Sequence, residues 1–588
     1  MRSLLVTLSL VTAAWCVEPR QEAYVVNTKP ASVTVVDIAH WKKIGSIPLD
    51  PEPTYAVISA DNRFLYVLHK GLYRLDGMLR EAESELAVID LEKRASVRKI
   101  GLAWGTTSIA LSGDGRYLLA VSQGKTGKKR TREEFGSVTI VDTRNNEVAV
   151  TLSAGRLGLT VAVTRDLSRI AVLSRGEPPR NNGKPYVKPV VTLFSIDQER
   201  PLAEIEFDRA GDLQISQDQK WLYVLDPGFA SKKASENKDG MVHVIDLAAT
   251  KLVAGYNVGS MPHSMHVDAV SGALHVLAQK GVKDRAGLIW RFDGSGTPQR
   301  TEAGTDLLFL RRLGAEPGLF AIGSADMRFV PDRGAVTTTV LPLKSTKSSP
   351  QVKGLGGLPG EVLYLPGARK VVLTVRTPTG APTSKVAIIS LVESKVENVI
   401  TTGRGSVKFG KLAAAAALSG ALSGLSYYSG YSMAQATGSP FFFYNIYSFT
   451  PALPNIELSS SPDERFVYAL NTLSNDVTVI DTASGAVIDK IAVGGGCRRV
   501  ALAPGSRFIY TYTGSQVNLI DAQANKKHLE HHVENGRIRS LRVMEEQKQL
   551  VALASKSLVV IDADKGAVVH TIDGFDEPYI LVQPGRSE

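Results

Sequence analysis

Histidines are the first residues of this chain whose spacing could support metal or acid–base chemistry. His263 and His266 lie at the entry of a predicted strand. Residues three apart on a strand point to opposite faces, so these two do not form a pair of metal ligands. His528, Glu530 and His532 alternate along another predicted strand and share one face. We interpret them as part of a solvated outer strand, and we predict no metal site and no cofactor.

No familiar catalytic motif accompanies these histidines. The sequence contains no haem attachment site, zinc-protease helix, phosphate loop, dinucleotide fingerprint or nucleophile elbow. Aspartates instead recur at the ends of predicted strands, which is typical of turn residues that accept hydrogen bonds from local backbone. These are Asp37, Asp142, Asp246, Asp481 and Asp521. Only His263 and Arg498 stand out at strand entries that otherwise carry mainly Thr, Ser and Gly.

Composition places the chain among ordinary globular proteins. It has 588 residues, 44% of them apolar and 21% charged, with a net charge of +10. This length exceeds one simple core, so we expect several domains or a repeat array. Two cysteines exclude a disulfide framework and a four-cysteine zinc site. We expect Cys497 to be a small packed residue near the start of a strand.

The N-terminus has the pattern of a secretory signal. Arg2 precedes an apolar run over residues 4–14, which is too short to span a bilayer as a helix. We predict a signal peptide over residues 1–16, cleaved after Ala14 or Cys16. Trp15 argues against a lipoprotein, because that processing favours a small residue before the cysteine. The mature protein is therefore expected in the periplasm or at the cell surface.

Short β-branched segments recur every 40–50 residues in the rest of the chain. Tyr24-Val-Val-Asn27 and Val477-Thr-Val-Ile-Asp481 are two clear copies of parts of the unit. Four short strands per unit is the pattern of a propeller blade. We count eleven units by their third strand: Val33–Asp37, Leu86–Asp90, Val138–Asp142, Val190–Asp197, Val242–Asp246, Leu288–Asp293, Met327–Asp332, Val386–Leu391, Val477–Asp481, Val517–Asp521 and Leu558–Asp562.

These units resemble the YVTN-type β-propeller repeat family. The resemblance implies an all-β propeller of four-stranded blades, but that fold hosts scaffolds, surface-layer proteins, lactonases and quinoprotein dehydrogenases alike. Eleven units exceed the usual four to eight blades, so we expect two rings or one unusually wide ring. Residues Tyr579–Val582 look like a first strand without successors, and the first unit lacks that strand. We therefore predict that they pair with Ala23–Asn27.

An uncharged insert interrupts the repeats and defines four regions. These are the signal peptide (1–16), blades 1–8 (17–403), the insert (404–455) and blades 9–11 with the closing strand (456–588). The insert is rich in Gly, Ala and aromatic residues, and we expect it to be partly helical. Small residues four apart permit close helix contact. Three interpretations stay open: it folds over or plugs its own propeller, docks on a protein, or touches a membrane surface through residues 412–449.

Long connections concentrate positive charge at one end of the predicted blades. All six join second to third strands, and the insert joins two blades. Strand alternation places these connections at the same end, which we call the long-loop end. Six loops and the insert carry +14, whereas the remaining sequence carries −4. The six are 69–84, 122–136, 175–189, 227–240, 279–286 and 376–385.

We therefore expect an exported binding or scaffold protein of the cell envelope rather than an enzyme. Its basic long-loop end would bind an anionic polymer, a membrane surface or a partner protein, with no specific nucleic acid. Lysines that serve only solubility are the simpler explanation of this charge. The candidate binding residues are Lys125, Lys128, Lys129, Arg130, Arg132, Arg175, Arg180, Lys184, Lys188, Arg404, Lys408, Lys411, Tyr427, Tyr428, Phe441, Phe442, Phe443 and Tyr444.

A periplasmic propeller enzyme is the alternative hypothesis. It would resemble a quinoprotein dehydrogenase or a lactonase and act on a small anionic substrate in the central channel. His263 and Arg498 would then line that channel, since the first strand of a blade is its innermost. An enzyme should concentrate His, Arg and Glu at several blade entries, and this chain does not.

Overall fold

A computed structural model describes most of the chain between residues 21 and 583. The segments outside this description are 1–20, 70–71, 76–77, 82, 123–135, 154–158, 175–187, 230–236, 269, 282–283, 285, 295, 306, 315–318, 326–335, 343–350, 353–357, 377–383, 394, 404–455, 473, 504, 535 and 584–588.

Antiparallel β-strands form all of the regular structure in the described residues, which contain no helix. These strands make nine sheets of four strands, one sheet of seven and a separate hairpin. In the seven-stranded sheet one long strand ends one group of four and begins the next, so we number it as two sheets. The four-stranded unit expected from the repeats is thus the building block of the fold, which is propeller-like and all-β.

The first four sheets cover residues 22–206 and the C-terminal strand. Sheet 1 contains β1 (Glu22–Thr28), β2 (Ala31–Asp37), β3 (Lys42–Pro48) and β45 (Pro578–Val582). Sheet 2 contains β4 (Pro53–Ile58), β5 (Phe64–His69), β8 (Glu83–Asp90) and β9 (Ala95–Trp104), and the hairpin β6 (Leu72–Leu75) and β7 (Met78–Glu81) lies between its second and third strands. Sheet 3 contains β10 (Thr106–Leu111), β11 (Tyr117–Ser122), β12 (Ser137–Asp142) and β13 (Glu147–Ser153). Sheet 4 contains β14 (Leu159–Val163), β15 (Ile170–Ser174), β16 (Val190–Ser195) and β17 (Gln198–Glu206).

The middle of the chain forms sheets 5 to 8. Sheets 5 and 6 contain β18 (Asp212–Ile215), β19 (Trp221–Asp226), β20 (Gly240–Asp246), the shared β21 (Lys251–Val267), β22 (Leu274–Gln279), β23 (Ala286–Phe292) and β24 (Gln299–Thr305). Sheet 7 contains β25 (Leu307–Arg312), β26 (Leu319–Ala325), β27 (Val336–Pro342) and β28 (Gln351–Val352). Sheet 8 contains β29 (Leu358–Leu365), β30 (Lys370–Arg376), β31 (Ser384–Ser390) and β32 (Lys395–Thr402).

Sheets 9 to 11 follow the insert. Sheet 9 contains β33 (Ile456–Ser460), β34 (Phe466–Asn471), β35 (Asp476–Asp481) and β36 (Val487–Ala492). Sheet 10 contains β37 (Arg499–Leu502), β38 (Phe508–Tyr512), β39 (Gln516–Asp521) and β40 (Lys526–His532). Sheet 11 contains β41 (Ile538–Met544), β42 (Gln549–Ala554), β43 (Ser557–Asp562) and β44 (Ala567–Asp573).

The last strand of the chain pairs with the first, as the sequence predicts. β45 runs antiparallel to β1, with Tyr24 opposite Val582 and Val26 opposite Ile580. β45 is therefore the first strand of sheet 1, and β1 to β3 are its second, third and fourth strands. This pairing covers the otherwise free backbone edge of β1.

Strand position within a sheet decides which residues are buried. The second and third strands are apolar on both faces and almost fully buried, as in β5 (Phe64–His69), because neighbouring sheets pack on both sides. Fourth strands are more exposed, as in β40, where exposed and half-buried residues alternate. Each hydrophobic cluster contains residues from two consecutive sheets, and one cluster joins sheet 11 to sheet 1 through Phe575 and Leu581.

Aspartates at the ends of third strands hold the following turns, and that prediction is confirmed. Asp37 accepts hydrogen bonds from the backbone N–H groups of Ala39 and His40, at 2.8 and 3.3 Å. The same arrangement recurs after Asp246, Asp481 and Asp521, and Asp142 accepts from Arg144. The hydrogen bonds of Asp37 with these N–H groups and with the His40 ring lower its pKa.

One third strand was assigned wrongly from the sequence. Met327–Asp332 lies outside the described residues, and the third strand of sheet 7 is Val336–Pro342, which pairs with β26. The interpretation relied on an aspartate ending each third strand, whereas this one ends in a proline. The other ten assignments fall on third strands of the observed sheets.

Tyrosines on second strands tie one sheet to the next. Tyr468 donates a hydrogen bond to the Asn525 side chain at 2.6 Å, and Tyr66 donates to Asn146 at 2.6 Å. We expect Tyr468→Phe to lower the free energy of unfolding by about 1–2 kcal/mol, since the buried amide oxygen of Asn525 loses its partner. Chemical denaturation measures this, with Tyr579→Phe as an exposed control. Equal stability of the two variants would contradict a structural role for this hydrogen bond.

Candidate functional site

All six long connections and the insert leave the sheets at the predicted end. In sheet 3, for example, segment 122–136 separates β11 from β12, the second and third strands. The insert separates the fourth strand of sheet 8 from the first strand of sheet 9. Segment 69–84 is not a simple loop, because it contains the hairpin β6–β7. The strand bounds thus confirm a long-loop end opposite the short turns of each sheet.

Most of the predicted binding residues lie outside the described residues. This holds for the signal peptide, for the basic residues 125–132, 175, 180 and 184, for the insert with its basic residues 404, 408 and 411, and for its aromatic residues 427, 428 and 441–444. Lys188 is described, and its ammonium lies 3.1 Å from the Asp208 carboxylate in an exposed pair. Such pairs contribute little stability, but this one lowers the pKa of Asp208.

A buried carboxyl group lies at the long-loop end of sheet 5. Asp226 ends β19, is 8% exposed, and its Oδ1 accepts the Gly228 N–H at 2.8 Å. Burial raises the pKa of Asp226 to about 6, against the opposing effects of the Gly228 N–H and of Arg209 and Lys238. A carboxyl group that titrates near neutrality can exchange a proton or change the charge of a binding surface.

Cationic and aromatic residues lie at the same end of sheet 5 as this carboxyl. The guanidinium carbon of Arg209 lies 5.2 Å from the centre of the Phe229 ring. Phe229 and Lys238 exchange both backbone hydrogen bonds at 2.8 Å, which closes the base of the 227–240 connection. Asp239 accepts a hydrogen bond from the Asn257 side chain at 3.1 Å. The long-loop end of sheet 5 thus contains two cationic residues, the Phe229 ring and the titratable carboxyl of Asp226.

The histidine candidates do not form a catalytic pair. His263 is half-buried, and its Nδ1 lies 3.3 Å from the Met261 carbonyl oxygen. Burial lowers the pKa of His263 to about 4, so its ring is neutral at physiological pH. His266 is exposed and lies opposite His275 on β22.

Arg498 is exposed and lies immediately before β37. The arginine at the equivalent position of the next sheet was not predicted from the sequence. Arg539 holds the matching position within β41, the first strand of sheet 11, and its guanidinium lies 3.2 Å from the Glu577 carboxylate. Aligning the blade entries by register would have found Arg539. Ion pairing to the closing segment gives it a structural role.

Two glutamates on neighbouring first strands were also missed. Glu361 accepts the Leu458 N–H at 2.9 Å, and Glu457 accepts the Val500 N–H at 3.0 Å. Each carboxylate therefore holds the first strand of the following sheet. Burial and the charge of Glu361 raise the pKa of Glu457. We assign these residues to sheet contacts rather than catalysis.

The alternating histidines of β40 contact different partners. His532 Nε2 lies 3.0 Å from Glu530, and Lys527 also pairs with Glu530. The His528 ring stacks on Phe508, with centroids 4.7 Å apart. Within the described part of the chain, no group of three His, Cys, Asp or Glu side chains is placed to hold a metal ion. The predicted position of β40 as a fourth strand is confirmed.

Cys497 is a packed residue, as expected. It is 3% exposed, belongs to the hydrophobic cluster between sheets 9 and 10, and precedes β37 by two residues. Burial raises the pKa of its thiol. In the described residues, no helix is long and apolar enough to cross a membrane.

A shallow groove of about 290 Å³ lies at the opposite end of sheets 4 and 5. It runs between the ends of β14 and β18, and Arg165 and three glutamines, Gln214, Gln217 and Gln219, contribute its polar lining. The Arg165 N–H donates to the Gln219 side chain at 2.7 Å. This groove lies among the short turns and away from the basic connections.

Comparison with known proteins gives no family. No family model matches the chain, and no curated protein matches it. Among solved structures, a eukaryotic initiation factor is similar over 81% of this chain and 97% of its own, at 13% identity and a TM-score of 0.41. The dihydro-heme d1 dehydrogenase NirN, in complex with DHE, is similar over 66% and 74%, at 16% identity and a TM-score of 0.32.

A third solved structure is apo AztD from Citrobacter koseri. It is similar over 70% of this chain and 96% of its own, at 11% identity and a TM-score of 0.31. These three proteins carry different names. At such identities and scores none of them transfers a substrate, a cofactor or a partner to this chain.

Proposed function

We propose that this protein is an exported β-propeller scaffold of the cell envelope that binds an anionic polysaccharide through its long-loop end. Export rests on the signal-like sequence of residues 1–16, and the propeller on the repeated four-stranded sheets. The proposal assigns binding to connections held by a rigid framework, which is where function commonly lies in repeat folds.

The propeller in this proposal is one ring of eleven sheets. Every hydrophobic cluster of the described residues joins two consecutive sheets, and Phe575 and Leu581 belong to the cluster that joins the last sheet to the first. Two rings would require a cluster between sheets that are distant in sequence. The pairing of β45 with β1 places both chain ends in one sheet and supports closure.

The single observation that carries the binding function is the placement of the long connections. They leave the sheets at one end, and together with the insert they carry a net charge of +14, whereas the rest of the chain carries −4. A surface with one sign of charge attracts a polyanion over about 10 Å at 0.1 M salt. A long polyanion contacts several connections at once, which multiplies weak individual contacts.

The positions of the two channel candidates, His263 and Arg498, favour binding over catalysis. His263 is half-buried on β21, which begins sheet 6, whereas Arg498 is exposed just before β37 of sheet 10. These two positions on sheets distant in sequence do not form the concentrated set of His, Arg and Glu that an enzyme of this fold should have. The cations at the long-loop end include Arg209 and Lys238, which lie beside a buried carboxyl group.

Affinity for immobilised polymers tests the proposal. The full-length protein without residues 1–16 should be retained on dextran sulfate and polygalacturonate at low salt and released as salt rises. Neutral dextran, the control, should not retain it. Absence of retention on both anionic polymers at low ionic strength would contradict the proposed function. Retention on lipid vesicles alone would instead indicate a membrane surface as the ligand.

A further inference from the structure

The guanidinium N–H groups of Arg209 donate no hydrogen bond to the residues that the structure describes. Arg209 lies on the segment between β17 and β18, half-buried, with its guanidinium stacked over the Phe229 ring at 5.2 Å. Within the described residues, no carboxylate lies within ion-pair distance of it, in contrast to Arg94 and Arg507, which pair with acids. A stacked guanidinium presents a planar fork that matches an oxyanion.

A second cationic residue, Lys238, lies across the backbone from Phe229. Gly228 has φ +69°, and a Cβ there would lie 2.6 Å from the Lys238 carbonyl oxygen, so only glycine fits this turn. Paired backbone hydrogen bonds then place Lys238 directly across from Phe229. The exposed Lys238 ammonium makes no ion pair among the residues that the structure describes. Two cationic residues without an ion pair among the described residues thus lie close to Phe229, one by its ring contact and one by its backbone pairing.

Asp226, which ends β19, is subject to the charges of both Arg209 and Lys238. Its carboxyl accepts the Gly228 N–H, and the residue is 8% exposed. The charged groups that act on it are Arg209 and Lys238, which favour ionisation, and Asp208, which opposes it and is itself paired with Lys188. The ring of His243, on β20, packs against Phe207 with centroids 4.9 Å apart, and burial lowers its pKa.

We infer that Arg209, Phe229 and Lys238 form a subsite for an oxyanion group of an acidic polysaccharide, and that protonation of Asp226 strengthens binding there. The Arg209 fork and the Lys238 ammonium bind the sulfate or carboxylate oxygens, and the Phe229 ring contacts the apolar face of the sugar. The inference rests on the proposed function and names the ligand group at one of its connections.

The direction of the pH dependence follows from the charge of Asp226. Its pKa is about 6, so above pH 6 it adds a negative charge beside the two cations and repels a polyanion. Below pH 6 the carboxyl is neutral, and the subsite gains positive charge. Affinity for a ligand whose own charge is constant should therefore increase as pH falls from 7.5 to 5.

Variants of full-length mature protein test the subsite with dextran sulfate, whose sulfate esters stay ionised over this range. Arg209→Gln should weaken binding about tenfold at pH 7.5, the loss of one charge-assisted contact. Lys238→Gln should weaken it in the same direction, whereas Lys220→Gln, at the opposite end of the same sheet, should change it less than about twofold. Equal affinities of Lys238→Gln and Lys220→Gln would overturn the inference.

Asp226→Asn provides a second readout that a purely structural role would not produce. The amide oxygen can still accept the Gly228 N–H, so the turn is kept. Binding of this variant should be as tight at pH 7.5 as at pH 5, and tighter than wild type at pH 7.5. A wild-type pH profile in the variant would refute the role of Asp226. Polygalacturonate in parallel distinguishes carboxylate from sulfate as the preferred group.

Failure of this subsite and failure of the proposed function are distinguishable. If Arg209→Gln binds like wild type while wild type still binds dextran sulfate in a salt-dependent way, the subsite is wrong and the basic long-loop end remains the binding surface. If wild type itself does not bind either polyanion, both are wrong. A circular dichroism spectrum unchanged from wild type excludes unfolding as the cause of any loss.

Discussion

Deletion of residues 577–588 should unfold the protein at temperatures at which the full-length chain is stable. The deletion removes β45, which supplies the first strand of sheet 1 and covers the edge of β1. It also removes Leu581 from the cluster that joins sheets 11 and 1. One large buried side chain reduced to alanine costs about 2–5 kcal/mol, and a whole strand costs more. Since a domain is stable by only about 5–15 kcal/mol, the loss is expected to be large.

A shorter deletion and two point variants distinguish the loss of β45 from the loss of the C-terminal residues in general. Deletion of 584–588 keeps β45 and should melt like the full-length protein. Leu581→Ala should lower the melting temperature, whereas Tyr579→Ala, 49% exposed, should not. Thermal melting followed by circular dichroism measures all four. If the protein without 577–588 melts with the full-length protein, β45 does not close the structure.

Neutralising the basic connection 122–136 should have the largest effect on binding. Lys128→Gln, Lys129→Gln, Arg130→Gln and Arg132→Gln together remove four charges from the long-loop end. Each cation that displaces a condensed counterion adds to the salt dependence of binding, with a slope of about 0.7–0.9 per contact for nucleic acids. We expect the variant to bind dextran sulfate at least about 100-fold more weakly at low salt, with a shallower salt dependence.

Repetition explains why so much of the fold could be predicted from sequence. An aspartate at the end of a third strand, as in Val477–Asp481, indicates that a turn follows, because its carboxylate accepts hydrogen bonds from the N–H groups of that turn. This signal is local and recurs in most units. The signal is absent in sheet 7, because its third strand ends at Pro342. The prediction therefore used the nearest aspartate, Asp332, and placed the strand too early in the sequence.

The hairpin β6–β7 was missed although the sequence contains a signal for it. Asp76-Gly77 separates two segments of four residues, and Asp-Gly is a favoured two-residue hairpin loop. The interpretation treated 69–84 as one connection because only four strands were expected per unit. Extra strands can lie in a long connection without changing the four strands of the repeating sheet.

The candidate site was less predictable, because its properties depend on contacts distant in sequence. Lys188 could be found from charge, but its pairing with Asp208 depends on the fold. Asp226 has the sequence context of any strand end. Burial raises its pKa, and Arg209 and Lys238, which lie on separate connections, oppose that rise. Burial of a carboxyl cannot be inferred from its immediate neighbours.

The central claim, that the long-loop end binds polyanions, is tested most directly by removing equal charge from opposite ends of the sheets. One variant neutralises Lys128, Lys129, Arg130 and Arg132. The other neutralises Lys93, Arg144, Lys220 and Lys565, which are exposed at the short turns. Dissociation constants for dextran sulfate, measured across a salt gradient, should increase at least about 100-fold for the first variant and about threefold or less for the second. Equal weakening of both variants would show that binding follows net charge alone and would contradict the account.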